Sequence, residues 1–282
     1  MFLILFCFFS FSSLAQERNP LSYEYSPEYS LRNLKDNQSL TLESHTASLG
    51  LPPLYRSQDK SVMLLGRLRY QRTYIDSNSS FLGESKLALD RVSAPISLIY
   101  RLSSQKTWMT IFAPSLNTDY KYINDDDRSF FTLSTITDKT SSTFTWSYGF
   151  VQIQNLDSIR VFPAIAFNWR FAPAWNFAFR PPGLFLNYQL DRYSKYSLGL
   201  RFNGAQWSLG DKDVNDRIFQ QTGVLLELSS YQVVYGDIAA TVRLGYGFSN
   251  KYTVHDQVFN TDEGGELSDF YQVTLGISLI RF

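Results

Sequence analysis

Residues 238–249, IAATVRLGYGFS, contain two chemically different sets of alternate positions. The even-numbered positions are apolar or aromatic, namely Ile238, Ala240, Val242, Leu244, Tyr246 and Phe248. The odd-numbered positions are small, polar or basic, namely Ala239, Thr241, Arg243, Gly245, Gly247 and Ser249. Because the side chains of a β-strand point alternately to its two faces, this pattern predicts a strand with one apolar face and one small or polar face.

The same alternation recurs along the chain in about twelve segments of about 10–16 residues, longer than most strands of soluble sheets. They lie near 40–51, 61–75, 91–102, 106–121, 128–138, 142–154, 159–171, 175–190, 195–208, 217–230, 235–250 and 267–282. Arginines recur on the polar face, where a packed soluble core would not tolerate them. The pattern therefore predicts an all-β fold, an antiparallel up-and-down transmembrane β-barrel whose apolar face meets lipid.

The predicted number of strands is about 12, within a range of about 10–14 set by two ambiguous segments. Pro181-Pro182-Gly183 interrupts segment 175–190, and the apolar parity switches there, which indicates either a bulge or a hairpin joining two short strands. Residues 23–31 also alternate and could add a strand. If both alternatives hold, the barrel has fourteen strands, which is still an even number.

The first residues indicate export. Residues 1–15 are an apolar run that ends in small residues before Gln16, which is typical of a secretory signal peptide. We expect residues 16–39 to be an N-terminal extension, either a plug or an extra strand, and residues 40–282 to form the barrel. Cys7 is the only cysteine and lies in the predicted signal, so the mature chain cannot form a disulfide.

The amino-acid composition narrows the classes of molecule that the protein is expected to contact. Aromatic residues make up 16% of the chain, and the 26 basic residues balance the 26 acidic ones, which argues against a nucleic-acid partner. No run of 18 apolar residues follows the signal. Export and heavy aromatic use without such a run predict a protein of the bacterial outer membrane, surrounded by its lipid and lipopolysaccharide.

Short and long connections are expected at opposite ends of the barrel. Aromatic side chains bracket the short ones, as at a membrane interface, and are Tyr100, Trp108, Trp169, Trp175, Tyr188 and Tyr196. Longer polar loops are expected around 122–128, 209–217 and 251–268. The terminal Phe282 is expected to contact the barrel-assembly machinery.

Residues 160–209 resemble an uncharacterised family of Gram-negative outer-membrane β-barrel proteins, a domain of unknown function. The matching motifs are FPAIAFNWR at 162–170, WNF at 175–177, Pro181, NYQL at 187–190 and the earlier APSLNTDY at 113–120. These are strand and turn motifs, so the resemblance implies the fold and supplies no activity. In the last strand Phe282 departs from the parity of Val273, Leu275, Ile277 and Leu279.

Motifs for catalysis or metal binding are weak. His45 and His255 are the two histidines, and the chain has no G-x-S-x-G motif, so we predict no enzyme activity. Residues 211–222 depart from an EF-hand at Asp216, where glycine is needed, and at Thr222, where glutamate is needed. We therefore expect no bound metal or cofactor.

Arginines on the polar face are the strongest candidates for a functional site. They are Arg67, Arg69, Arg101, Arg160, Arg170, Arg180, Arg201 and Arg243, with Glu227 as the clearest acid on that face. Such a set would favour anions inside a pore, or it could form structural ion pairs. The sequence therefore predicts a narrow pore for small solutes with an arginine-lined lumen. The alternative is a non-conducting structural or interaction barrel with extracellular binding loops.

Overall fold

A computed structural model describes residues 20–32, 39–77, 85–120, 127–154, 159–209, 217–256 and 261–280. The predicted signal peptide, the stretch 211–216 and Phe282 lie outside these residues. The strand segments are β1 (Leu21–Arg32), β2 (Ser39–Gly50), β3 (Tyr55–Arg56), β4 (Val62–Ser77), β5 (Lys86–Ser93), β6 (Ile96–Arg101), β7 (Lys106–Thr118), β8 (Arg128–Asp138), β9 (Phe144–Gln154), β10 (Ile159–Ala172), β11 (Trp175–Arg180), β12 (Gly183–Gln189), β13 (Ser194–Leu209), β14 (Arg217–Tyr235), β15 (Ile238–Asp256), β16 (Thr261–Leu267) and β17 (Phe270–Leu279). No helix within the described ranges is long and apolar enough to cross a membrane.

The sheet closes on itself. Neighbouring strands pair antiparallel around the sheet, and β1 pairs with β2 on one side and with β17 on the other. In the closing ladder Leu21 lies opposite Leu279, and Tyr25 lies opposite Leu275. Closure gives β1 two neighbours and leaves no exposed edge along this seam. The antiparallel up-and-down barrel predicted from the alternation is confirmed.

The barrel has fourteen strands. β5 with β6, and β16 with β17, are each one wall strand with a short interruption, and the two-residue β3 pairs with the base of β4. The preferred count of 12 is therefore two too low, although fourteen lies within the expected range. Leu21–Arg32 is a strand of the wall, so the barrel begins there and not at residue 40. The turn at Pro181-Pro182 joins the separate strands β11 and β12.

The apolar face of each strand points outward. On β15, Val242 and Leu244 are 42% and 51% exposed, whereas Ala239 on the opposite face is fully buried. The exposed apolar side chains continue around the wall on neighbouring strands, among them Leu198, Leu200, Leu226, Leu275 and Ile277. In a closed barrel the backbone groups form their hydrogen bonds within the sheet. The apolar outer belt places hydrocarbon side chains against the hydrocarbon of the lipid.

The two ends of the barrel differ. At one end, called here the terminal end, β1 starts, β17 stops and tight turns occur at 102–105, 173–174, 190–193 and 236–237. Gly236 has a φ of 50°, a left-handed conformation that glycine adopts without strain. The opposite end is called the loop end.

The prediction of a long loop at 251–268 is wrong, because 250–256 and 261–267 pair with each other as strands. The alternation there is simply less regular than in the lipid belt.

Apolar side chains fill part of the interior at the loop end. They form one buried cluster, called here the inner cluster: Leu31, Leu40, Leu42, Ile75, Leu87, Leu89, Trp207, Leu209, Phe219, Leu225, Tyr252, Val254, Leu267 and Phe270, with Tyr29 and Ala205 against it. The Phe270 ring lies directly over Gly247, where an added Cβ would come within 2.0 Å of it. Glycine is needed here because the ring occupies the space of a side chain.

A charge on the outer face should be more costly than the same charge on the inner face. We expect Leu200→Arg, in the lipid belt, to lower the free energy of unfolding by about 2–4 kcal/mol, because the guanidinium would lie in hydrocarbon. Ser197→Arg, on the inner face of the same strand, is the matched control and should cost less. Urea unfolding in phospholipid vesicles measures both, and equal losses would contradict the assignment of the two faces.

Candidate functional site

Two ion pairs lie on the inner face at the middle of the barrel. Arg243 on β15 makes a bidentate contact with Glu24 on β1, one arm of which joins Nη1 to Oε2 at 3.2 Å. Arg201 on β13 donates from Nη2 to Oε2 of Glu227 on β14 at 2.9 Å. The four side chains are only 14–24% exposed. Each charge is therefore compensated by a partner from another strand, as a weakly solvated charge requires.

Further arginines surround Glu24. Arg69 and Arg201 lie close enough to interact electrostatically with its carboxylate, and Arg67 lies near Arg69. The Arg243–Glu24 contact passes over β17 at Gly276, where an added Cβ would meet Glu24 at 3.4 Å. The small residue leaves room for two long side chains to meet across an intervening strand. The result is a central layer of four arginines, Arg67, Arg69, Arg201 and Arg243, and two glutamates, Glu24 and Glu227.

The other predicted arginines do not join this layer as one ring. Arg180 is the last residue of β11 and Arg160 lies near the start of β10, both on inner-face positions. Arg101 and Arg170 are exposed near strand ends at the terminal end. The structure thus brings together half of the eight arginines and distributes the others along the barrel.

Two important side chains were missed by the sequence reasoning. Glu24 lies in the segment assigned to an extension, although its alternation with Tyr23 and Tyr25 could have revealed it. Arg91 is the first residue of the predicted segment 91–102 and is absent from the arginines predicted on the inner face. It is 8% exposed, and its Nε donates to Oδ1 of Asn117 at 2.6 Å. The parity of Leu87, Leu89 and Arg91 was the available signal.

Arg91 also holds the inward end of β13. Its guanidinium lies over the Trp207 ring at 5.5 Å, and its Nη2 donates to the backbone oxygen of Gln206 at 3.4 Å. Trp207 in turn stacks on Phe219 with a centroid distance of 6.0 Å. Ser208 pairs in parallel with Thr118 of β7, although β7 and β13 are far apart in the order of the wall. The end of β13 therefore turns inward toward β7 while it stays paired with β14, and its residues 206–209 are called here the crossing segment.

The predicted interface aromatics cluster at the terminal end. Trp175 lies against Tyr188 with a centroid distance of 4.7 Å, and Tyr188 is followed by Tyr196 on the next strand at 6.5 Å. Trp169 begins the same row on β10, and Tyr100 lies opposite Trp108 across β6 and β7. These rings form a row at one depth, just before the tight turns.

His45 lies on the outer face, away from the central layer. Its Nδ1 is 2.7 Å from the Tyr23 hydroxyl, and its Nε2 is 3.3 Å from the Glu43 carboxylate. Tyr25 and Tyr74 pack beside the ring. His45 therefore belongs to a group of tyrosine and glutamate side chains on the outer surface and not to the central layer.

Removing one partner of the Arg243–Glu24 ion pair should show how much this pair contributes to stability. We expect Glu24→Gln to lower the free energy of unfolding by about 1–3 kcal/mol, because Arg243 would remain poorly solvated without its counter-charge. Glu266→Gln breaks the exposed Lys251–Glu266 pair, 51% and 65% exposed, and should cost less than about 1 kcal/mol. Unfolding titrations in micelles compare the two, and equal effects would contradict a special role of the central layer.

Several solved structures are similar to this chain. The crystal structure of the COG4313 outer membrane channel from Pseudomonas putida F1 matches with a TM-score of 0.51 at 9% identity, covering 92% of this chain and 93% of that one. A TodX monoaromatic hydrocarbon channel mutant matches with 0.39 at 9% identity, covering 93% and 90%. The translocator domain of autotransporter NalP from Neisseria meningitidis matches with 0.38 at 8% identity, covering 96% and 91%.

The sequence comparison identifies the family. No curated protein matches the chain. The family model of the domain of unknown function DUF6268 matches residues 12–278. The closed wall and its apolar belt agree with an outer-membrane barrel, as does the resemblance found in the sequence. The chain therefore belongs to the DUF6268 family, and it is a β-barrel protein of the bacterial outer membrane.

Proposed function

We propose that the protein is a narrow outer-membrane pore for small solutes with a preference for anions. The observation that carries this proposal is the central layer, in which four arginines face two glutamates on the inner wall. Positive side chains in excess at a constriction attract anions and repel cations. A barrel with fewer strands than the 16–18-stranded porins also has a narrower lumen.

The tight turns set the orientation in the membrane. Outer-membrane barrels have short periplasmic turns and longer extracellular loops, so the terminal end is proposed to face the periplasm. The aromatic row that includes Trp175, Tyr188 and Tyr196 would then lie at the periplasmic interface, and the loop end would lie near lipopolysaccharide. Phe282 remains our proposed contact with the barrel-assembly machinery.

Selectivity measurements test the role of the central layer. In planar bilayers under a KCl gradient, we expect the reversal potential to have the sign of a chloride-selective pore. Arg69→Gln should shift it toward zero because it removes one positive charge from the layer. Arg170→Gln, exposed at a strand end, is the matched control and should shift it less. Cation selectivity of the unmodified protein would contradict the proposal.

The packed loop end favours a second candidate, a non-conducting structural or interaction barrel. Its support is the inner cluster, which fills part of the interior where an axial path would run. Folded protein that gives no conductance in bilayers would favour this candidate over the pore.

Opening the packed region should enlarge the pore. We expect Trp207→Ala to raise the single-channel conductance, because it removes the indole that Arg91 and Phe219 hold inside the barrel. Trp146→Ala removes an indole that is 40% exposed on the outer wall and should leave conductance unchanged. Channels of both variants are recorded under one salt condition. An unchanged conductance of Trp207→Ala would show that the crossing segment does not restrict the path.

A further inference from the structure

The hairpin of β11 and β12 is much shorter than its neighbours. Its ladder with β10 begins at Phe167 opposite Phe179, and its ladder with β13 ends at Gly183 opposite Arg201. The flanking strands continue toward the loop end for eight further residues each, 159–166 on β10 and 202–209 on β13. At about 3.3 Å per residue, each extension is about 26 Å long. The hairpin thus fills only the lower part of its place in the wall.

No ladder joins β10 to β13 above this hairpin within the described ranges. Residues 159–166 pair with β9, and residues 202–209 pair with β14. On the outer face Ile159, Val161 and Ile165 are 57–62% exposed. Pro163 lies in the same stretch, and proline is tolerated where a strand has a neighbour on one side.

β13 turns inward at this level, although it stays paired with β14. Phe202 is 49% exposed, whereas the four consecutive residues 206–209 are all buried on both faces of the strand. A wall strand would keep every second side chain exposed to lipid. Pairing of Ser208 with Thr118 of β7 places this segment across the interior. The inward turn of β13 widens the separation from β10 that the short hairpin creates.

An apolar inner wall lies on β10 and on the three strands that precede it. It consists of Ala113, Phe131, Val151 and Ile153, with Leu133 and Phe162 packed against them. Val151 lies opposite Phe162, and Ile153 lies opposite Arg160, so this wall is level with the upper part of β10. The inner cluster occupies a different part of the interior, formed by other strands. Phe162 on β10 is only partly buried, so an apolar molecule entering between β10 and β13 would meet this side chain first.

The crossing segment adds polar groups to the same region. The side-chain oxygens of Gln206 and Ser208, on the face of β13 opposite Trp207, are buried without a hydrogen-bond partner in the described part of the chain. Buried polar atoms normally have a hydrogen-bond partner, and water or a polar group of a ligand can supply one where the protein does not. A molecule with an apolar body and a polar end would match an apolar wall on one side and these atoms on the other.

We propose that the opening between residues 159–166 of β10 and 202–209 of β13 is a lateral portal between the lumen and the membrane. Through it pass small amphipathic molecules, which have an apolar body and a polar end. With the terminal end toward the periplasm, the portal opens into the outer leaflet. This inference deepens the proposed pore and rests on it: the portal supplies a lateral route beside the axial path that the inner cluster narrows.

Reversible cross-linking tests the portal. Val161→Cys and Gly204→Cys place one thiol on each side of the opening, and the mature chain has no other cysteine once the predicted signal is removed. Reducible bis-methanethiosulfonate linkers of graded length join the two thiols, and a mass shift identifies the linked protein. The control pair, Leu198→Cys with Leu228→Cys, links opposite residues of paired strands outside the opening. The probe is a pyrene-labelled alkanoate taken up by cells that produce each variant.

We expect the linker across the opening to abolish protein-dependent uptake of the probe, and a reducing agent to restore it. The linked control pair should take up the probe at the rate of the unlinked protein. Unchanged uptake with the opening linked would overturn the portal. So would cross-linked dimers formed through Val161→Cys alone, because a second copy would then cover this edge.

Bilayer recordings separate this result from the proposed pore. If the linked protein conducts chloride normally but also takes up the probe normally, the portal fails and the pore stands. If no variant conducts, the pore fails, and loss of probe uptake on linking still identifies the lateral route. Heat-dependent migration in detergent gels verifies that each variant is folded before its uptake is compared.

Discussion

The structure depends on the need to satisfy backbone hydrogen bonds inside a lipid bilayer. A strand edge left open in hydrocarbon costs several kcal/mol for each unsatisfied group, so the first and last strands of the sheet must pair with each other. The ladder from Leu21 opposite Leu279 to Tyr25 opposite Leu275 provides this closure. It makes β1 a structural necessity, and it explains why a segment that resembles an extension belongs to the wall.

Closure creates an interior whose two parts are filled by different chemistry. At mid-height, arginines and glutamates from several strands compensate one another, and Gly276 leaves space for Arg243 to reach Glu24. Toward the loop end, apolar side chains pack as in a soluble core, with Phe270 lying over Gly247. The inward end of β13 joins the two regions, because Arg91 holds Trp207 against the apolar cluster. The inner face thus provides apolar packing toward the loop end and charge compensation at mid-height.

The alternation predicted most of the wall because each side chain in the lipid belt obeys a simple local rule. It assigned Arg243 inward and Leu244 outward correctly, and it placed the tight turns at one end. It failed where tertiary contacts replace lipid: residues 250–256 and 261–267 form strands without a lipid-facing pattern. It also failed at Glu24 and Arg91, whose roles come from partners more than twenty residues away in sequence.

The sequence by itself determined a transmembrane β-barrel, its inner and outer faces and the position of its turns. These properties follow from the period of two in a strand and from the cost of placing polar groups in lipid. Only the tertiary structure decided that the barrel has fourteen strands and not twelve, which arginines meet glutamates, and where β13 turns inward. These features depend on which strands close the barrel and which side chains meet across its interior, and such contacts leave no periodic signal along the chain.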